Sequence, residues 1–227
     1  MSDEPEDNPT FAMAIAAHRA QGDRYLYGNQ WGDPKHGTLR YVYERYLRRR
    51  KVPGDLSKVV KRYILPFVRP GMTVMEIGAG GGRWTQFLLP ASEIIIVETT
   101  PEFFPYLEQR FGRRFELYQT LGSEMRGIAA ARVDYAFSFG TFVHTAPEVL
   151  QGYLAELARV LRPGGIAVLQ YADKTKAAAR LPGPQDSGFA DLNPRRFEDM
   201  STRHGFVIRS HDTRLLNHSN IAVLVRP

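Results

Sequence analysis

Five short apolar segments that alternate with longer amphipathic stretches constrain the fold of this chain most strongly. The segments are Thr73–Ile77, Ile94–Val97, Phe115–Gln119, Val133–Ser138 and Ile166–Tyr171. The second is β-branched and apolar throughout, which is typical of a strand buried on both faces of a parallel sheet. Helical patterns lie between the segments; one begins at Thr100 and Pro101, and another covers Val149–Leu161. This alternation predicts an α/β fold with a doubly wound, mainly parallel sheet.

The C-terminal part of the chain departs from that alternation. Phe206–Leu216 and Asn220–Arg226 are separated by a turn too short for a crossover helix, so they predict an antiparallel hairpin. Residues 172–193 contain lysines, alanines, prolines and glycines and predict a loop. This loop leaves the C-terminal end of the fifth strand, where ligands bind in such sheets, and is therefore a candidate lid.

The first seventy residues have a different character. Residues 1–10 are acidic and predict a mobile tail. Residues 11–70 predict a helical cover with helices near 11–20, 39–50 and 56–68, the last ending at Pro70-Gly71. Residues 71–227 then form the ligand-binding domain.

Composition excludes several classes of protein. The chain has no cysteine, so disulfides, thiolate zinc sites and a cysteine nucleophile are excluded. It lacks the roughly 18 consecutive apolar residues of a membrane span, and its acidic start differs from a secretory signal. We therefore expect a cytoplasmic protein without a membrane partner. The net charge is +6, and the basic run Arg48–Lys51 indicates a solvated helix face rather than a nucleic-acid site.

The strongest functional signal is a glycine-rich turn after the first strand. Glu76, Gly78, Gly80 and Gly82 form the pattern Glu-x-Gly-x-Gly-x-Gly. Glycines let the backbone approach a ligand closely, whereas a dinucleotide fingerprint would need glycine where Arg83 stands. At the end of the second strand lies Glu98, a carboxylate that can accept hydrogen bonds from both hydroxyls of a ribose.

These motifs, with residues 134–140 and Leu161–Gly165, resemble the class I S-adenosylmethionine-dependent methyltransferases, which have a Rossmann-like fold. The resemblance covers residues 72–227 and implies S-adenosylmethionine as cofactor and S-adenosylhomocysteine as product. It implies that the first acid and the glycine loop hold the methionine end and that Glu98 holds the ribose. The cofactor-binding residues predicted on this basis are Glu76, Gly78, Ala79, Gly80, Glu98, Thr99, Ser138 and Phe139.

One segment departs from the family pattern. The family usually has an acidic or amide residue after the third strand, near the adenine, whereas here residues 120–123 carry none. Backbone amides or Ser123 are the alternatives for that contact.

His144 follows the fourth strand on the ligand side and is the candidate catalytic residue. An imidazole that titrates near neutral pH can act as general base toward an acceptor hydroxyl. Candidate acceptor-binding residues are Tyr27, Trp31, Tyr171 and Asp173. No metal is expected, because the carboxylates of metal-dependent relatives are replaced by residues 138–141, Ser-Phe-Gly-Thr. Asp134 opens the fourth strand, away from the ligand end, and is expected to be structural.

The favoured function is transfer of a methyl group to a small-molecule acceptor, most simply a hydroxyl of a sugar or natural product. The absence of an Asn-Pro-Pro-Tyr motif after the fourth strand disfavours methylation of exocyclic nitrogens. Two alternatives remain open. One is a large anionic acceptor such as RNA or an anionic glycan, for which Arg48–Lys51 is the motivation. The other is a scaffold or cyclase that binds S-adenosylmethionine without methylating.

Overall fold

The computed structural model describes residues 54–180 and 188–227. Several features predicted above lie outside these ranges. They are the acidic tail 1–10, the cover over residues 11–53 with Tyr27 and Trp31, the basic run Arg48–Lys51, and residues 181–187 of the candidate lid.

A seven-stranded sheet forms the centre of the described structure, with strand order β3-β2-β1-β4-β5-β7-β6. The strands β1 to β5 pair in parallel, and β7 is antiparallel to both β5 and β6. The predicted fold class and C-terminal hairpin are therefore confirmed. The strands are β1 Thr73–Ile77, β2 Glu93–Glu98, β3 Phe115–Gln119, β4 Val133–Ser138, β5 Leu161–Ala172, β6 Val207–Asp212 and β7 Ser219–Val225.

Five α-helices flank the sheet in the described residues: α1 Gly54–Val59, α2 Thr85–Leu88, α3 Phe104–Phe111, α4 Pro147–Val160 and α5 Pro194–Arg203. Three shorter helical segments accompany them: a π-helical turn at Val60–Ile64 after α1, and 3-10 turns at Pro101–Phe103 and Ala177–Ala179. No helix in the described ranges is both long and apolar enough to cross a membrane.

The helices differ from the sequence prediction at three places. The helix expected over 56–68 begins at Gly54 and passes into the π-helical turn, so it ends earlier. Thr100 directly precedes the 3-10 turn Pro101–Phe103, but its side chain makes no capping hydrogen bond to that turn. Helix α5 was missed, because its apolar signal is limited to Phe197 and Met200 among charged neighbours. Its start is fixed instead by Asn193, whose side chain accepts a hydrogen bond from Arg196 N.

Alternate residues along each central strand pack into separate cores on the two faces of the sheet. In β2, Ile95 and Val97 pack with helices α4 and α5, whereas Ile94 and Ile96 pack with α2, α3 and the π-helical turn. All four are at most 3% exposed. This two-sided burial explains why the strand lacks polar residues in its interior.

The strand order reverses between β1 and β4, so their connections leave the sheet on opposite sides and open a crevice at the C-terminal edge. The glycine loop after β1, Glu98 at the end of β2 and the loop after β4 all lie at this edge. Asp134 lies at the opposite end of β4, where it accepts a hydrogen bond from Thr73 N at 2.7 Å and pairs with Arg162. That placement agrees with its expected structural role.

Lys176 fastens the connection between β6 and β7 to the same C-terminal edge. Its ammonium group donates to three backbone oxygens at 2.7–2.8 Å, those of Thr213, Leu216 and Ser219. Three carbonyls that converge on one cation hold this loop in a single arrangement beside the crevice.

We expect Lys176→Met to lower the free energy of unfolding by about 1–3 kcal/mol, because three carbonyl oxygens lose a charged donor. Chemical denaturation followed by circular dichroism measures this change. Lys61→Met, at an exposed position in the π-helical turn, is the control and should change stability by less than about 0.5 kcal/mol. Equal stability of the two variants would show that the Lys176 bonds contribute nothing net.

Candidate functional site

Three glycines of the loop after β1 adopt left-handed backbone conformations, with φ of +75° at Gly78, +51° at Gly80 and +82° at Gly82. A Cβ atom on Gly78 would lie 1.8 Å from Thr141 Oγ1, and one on Gly82 would lie 2.5 Å from the Phe111 ring. Among the described residues, no atom lies within 4 Å of a Cβ on Gly80. Gly78 and Gly82 are thus needed for packing, whereas Gly80 faces open space that a ligand can fill.

Glu98 ties this loop to the end of β2. Its Oε2 atom accepts a hydrogen bond from Gly80 N at 2.9 Å, and its Oε1 atom accepts from Thr99 N at 2.8 Å and Thr100 N at 3.2 Å. The carboxylate is only 6% exposed, and burial raises its pKa above the usual value while the three N–H donors oppose that rise. Glu98 is therefore a buried acid whose charge is supported by the backbone.

Glu76, in β1, is more fully buried and has fewer partners. It is 1% exposed, and its Oε2 atom accepts a hydrogen bond from Thr85 Oγ1 at 2.6 Å. Its Oε1 atom is buried without a hydrogen-bond partner among the described residues. Burial raises the pKa of Glu76 to about 8; the Thr85 hydroxyl opposes this rise and the charge of Glu98 adds to it. An unpaired buried carboxyl oxygen is a place for a hydrogen-bond donor or cation of a ligand.

Three other residues of the predicted cofactor set pack around the loop. Ser138 is fully buried, and its hydroxyl donates to Ile77 O at 2.9 Å, so it links β4 to β1. Phe139 packs against the ring of Trp84, with centroids 4.7 Å apart. Ala79 is 6% exposed and belongs to the same hydrophobic core as Trp84. These side chains support the shape of the crevice.

His144 lies one turn beyond Thr141, the residue that contacts Gly78. Its backbone N–H donates to Thr141 O at 3.0 Å, and its Nδ1 atom lies 3.4 Å from Gly188 O. The imidazole stacks on the ring of Phe189 with centroids 5.3 Å apart and an interplanar angle of 7°. The structure therefore places His144 near the glycine loop, at the C-terminal edge of the sheet.

His218 stands at the same edge and was missed by the sequence analysis. Its ring packs on Phe189 at 5.1 Å, so Phe189 contacts both imidazoles. Burial lowers the pKa of His218, and the charges of His144 and Lys176 lower it further. Its position directly before the predicted strand Asn220–Arg226 was the only signal that the sequence offered.

The side chains of Tyr171 and Asp173 are held by contacts outside this group, although Asp173 N donates to His218 O at 3.1 Å. Tyr171 has no exposed surface, stacks on Phe197 with centroids 3.9 Å apart, and shares hydrogen bonds with His211 and Asn220. Asp173 is 2% exposed and accepts a hydrogen bond from Asn220 Nδ2 at 2.9 Å. Because these contacts account for both side chains, we leave them out of the acceptor site proposed below.

The ends of the candidate lid are anchored. Ala190 N donates to Val143 O at 2.8 Å, and Lys174 N donates to Leu192 O at 2.8 Å, with Leu192 fully buried. Residues 181–187 of the predicted lid 172–193 lie outside the described ranges, and the lid stays a prediction.

Comparison with known proteins adds to this geometry. Residues 74–165 match the methyltransferase domain family. This range holds the glycine loop, Glu98, His144 and the segment Pro163-Gly164-Gly165 at the start of β5. These residues form a class I S-adenosylmethionine-dependent methyltransferase domain. S-adenosylmethionine is its cofactor. No curated protein matches the chain at a significant level.

Solved structures share the fold of the methyltransferase domain at low sequence identity. An S-adenosylmethionine-dependent methyltransferase from Mesorhizobium loti has a TM-score of 0.65 and 13% identity, over 76% of this chain and 98% of that chain. A Haloferax volcanii methyltransferase in complex with the Trm112 activator has a TM-score of 0.63 and 13% identity, over 96% of this chain and 97% of that chain. The CurJ carbon methyltransferase has a TM-score of 0.52 and 20% identity, over 75% of this chain and 52% of that chain. At these identities the similarity supports the fold and does not select an acceptor atom.

The residues at the crevice fit S-adenosylmethionine. The unpartnered Oε1 atom of Glu76 suits the ammonium group of its methionine part. The open space at Gly80 suits the chain that follows. Thr99 N and Thr100 N use both lone pairs of Glu98 Oε1, so the remaining lone pair of Oε2 suits one ribose hydroxyl. Within the described ranges, no group of three or more His, Asp or Glu side chains is arranged to hold a metal ion.

We expect Gly80→Val to abolish measurable binding of S-adenosylmethionine, because the branched side chain would fill the open space beside the loop. Calorimetric titration measures the affinity. Gly71→Val is the matched control: its φ is +85°, its Cβ would also meet nothing within 4 Å, and it lies outside the crevice. Placing a side chain on a left-handed backbone costs roughly 1–2 kcal/mol in both variants, but Gly71→Val should bind S-adenosylmethionine normally. Normal binding by Gly80→Val would place the cofactor elsewhere.

We expect Glu98→Ala to weaken S-adenosylmethionine binding by about tenfold or more, since a charge-assisted hydrogen bond contributes roughly 1.5–3 kcal/mol. The melting temperature should also fall, because Gly80, Thr99 and Thr100 lose a common acceptor. Glu93→Ala, at the exposed start of the same strand, controls for loss of an acid from β2 and should leave affinity unchanged. Equal affinities of the two variants would contradict the ribose assignment.

Proposed function

We propose that the methyltransferase domain methylates a hydroxyl group of a small-molecule acceptor, such as a sugar or natural product, with His144 as general base. The observation that carries this proposal is the position of His144. Thr141 contacts the glycine loop at Gly78, and His144 follows one hydrogen-bonded turn later. The imidazole is thus a titratable ring close to the glycine loop, on the side of β4.

The contacts of His144 favour the tautomer that a base needs. Gly188 O, 3.4 Å from Nδ1, can only accept a hydrogen bond, so this contact favours the tautomer with the proton on Nδ1 and the lone pair on Nε2. Stacking on Phe189 holds the plane of the ring. An oriented imidazole with a basic Nε2 can take the proton of a hydroxyl group during its attack.

When bound, S-adenosylmethionine supplies an electrophilic methyl group on a sulfonium sulfur. The residues of the chain then act by alignment, exclusion of water and proton transfer. Glu98, Glu76 and the loop at Gly80 orient the cofactor from one side. Phe139, whose ring packs on the buried ring of Trp84, adds apolar surface beside the crevice, and His144 accepts the hydroxyl proton. Alignment of this kind accounts for a large part of the rate in a displacement reaction.

The alternatives from the sequence gain no observation in their favour. The basic run Arg48–Lys51, which motivated a large anionic acceptor, lies outside the described ranges. The intact donors and acceptors around Gly80 and Glu98 support cofactor binding in a catalyst and in a scaffold alike. Turnover to S-adenosylhomocysteine is the measurement that separates a methyltransferase from a scaffold.

We expect His144→Gln to slow single-turnover methyl transfer by about 10²–10⁴-fold, because a base is lost from the reaction. S-adenosylmethionine affinity should stay within a factor of two. Turnover of the wild type is first established on a panel of sugar and phenolic acceptors. His204→Gln, at the C-terminal end of α5, is the control and should keep the wild-type rate.

Three outcomes would contradict the proposal. A near-normal rate would assign His144 to structure, and a parallel loss of cofactor affinity would assign it to cofactor binding. Methyl transfer to carbon or nitrogen acceptors, with none to hydroxyl groups across the panel, would exclude the proposed acceptor class.

A further inference from the structure

Glu76 and Glu98 are both buried in the cofactor site, but their surroundings differ. Glu98 accepts hydrogen bonds from three backbone N–H groups, whereas Glu76 accepts one from the hydroxyl of Thr85. The Oε1 atom of Glu76 has no partner in the described part of the chain. A carboxylate that is 1% exposed with one neutral donor is poorly stabilised in its charged form.

The charges around Glu76 do not compensate for that burial. Among the residues that the structure describes, two titratable groups interact electrostatically with Glu76: Glu98 in β2 and Tyr135 in β4. Helix α2 contributes the neutral hydroxyl of Thr85. Tyr135 is fully buried with a strongly raised pKa, so it is neutral. Within the described ranges, none of these groups is a cation. Burial and the neighbouring acid together raise the pKa of Glu76 to about 8.

We propose that the cofactor enters this site in exchange for a proton: Glu76 is protonated in the empty site and ionises as the ammonium group of the ligand comes to lie beside its Oε1 atom. The inference rests on S-adenosylmethionine as cofactor and is independent of the acceptor. The balance is simple, since the carboxyl O–H bond breaks, its proton goes to solvent, and no electrons move. The site then gains a carboxylate and an ammonium together, so the two buried charges are created as a pair.

The exchange has a defined pH dependence. Binding requires the ionised acid, whose fraction in the empty protein falls about tenfold per pH unit below a pKa of about 8. The affinity for the cofactor should therefore rise about tenfold from pH 6 to pH 7 and level off near pH 8. At still higher pH it should fall again, because the α-amino group of the ligand then loses its proton.

Calorimetric titration with S-adenosylhomocysteine, which carries the same ammonium group, tests the exchange. At pH 6.5, in two buffers of different ionisation enthalpy, the dependence of the binding heat on the buffer should show release of close to one proton. The matched probe is 5′-methylthioadenosine, which keeps the adenosine and the sulfur but lacks the amino-acid part. It should bind without proton release, although it still engages Glu98.

Two sets of variants assign the proton to Glu76. Glu76→Gln should abolish proton release and remove the rise in affinity between pH 6 and pH 7. Thr85→Val removes the single donor to Glu76, so it should weaken binding at pH 7 by about tenfold and shift the plateau to higher pH. Thr85→Ser keeps the hydroxyl and should behave like the wild type.

Several results would overturn the proposal. Binding of S-adenosylhomocysteine without proton release at pH 6.5 would show that Glu76 is already ionised. Equal release with 5′-methylthioadenosine would assign the proton to Glu98. Should Glu76→Gln fail to bind, an unchanged pH profile in Thr85→Val would still contradict the exchange. None of these measurements uses an acceptor, so they are distinguishable from failure of the proposed hydroxyl methylation.

Discussion

The contact between Gly78 and Thr141 is the constraint on which the rest of the site depends. A Cβ atom on Gly78 would lie 1.8 Å from Thr141 Oγ1, so the loops after β1 and β4 approach as closely as the backbone allows. Thr141 also donates from its hydroxyl to Ile77 O at 3.3 Å. This contact lies at the reversal of strand order and joins the glycine loop to the segment that carries His144. Glycine is required there for steric reasons before any ligand is considered.

The two acids of the site show how one edge of a sheet can create different environments. Glu98 ends β2, where the chain turns and three N–H groups converge on its carboxylate. Glu76 lies one residue before the end of β1, inside the sheet, where the neighbouring N–H groups are used by strand pairing. Its environment therefore favours the neutral acid until a cation enters. The difference follows from position along the strand, since both side chains are glutamates.

The side of the crevice near His144 is held together by long-range contacts. Gln170 in β5 accepts a hydrogen bond from Gly140 N and donates to Ser219 Oγ, both at 2.7 Å, and so links the ends of β4, β5 and β7. Lys176 fixes the connection between β6 and β7 in the same region. Phe189 then contacts His144 and His218. These contacts hold the two imidazoles at the C-terminal edge of the sheet. Catalytic side chains need rigid support of this kind to keep a fixed position.

The sequence by itself determined the fold class, the five parallel strands, the terminal hairpin and the cofactor, because apolar periodicity and glycine spacing are local signals of burial and close approach. It also located the glycine loop, Glu98 and the segment of His144. Helix α5 escaped prediction because only Phe197 and Met200 mark its buried face. The unpartnered oxygen of Glu76, the burial of Tyr171 against Phe197 and the meeting of His218 with Phe189 were decided by the tertiary structure alone. Each depends on residues far apart in the chain, and their contacts arise only when the sheet brings its C-terminal loops to one edge.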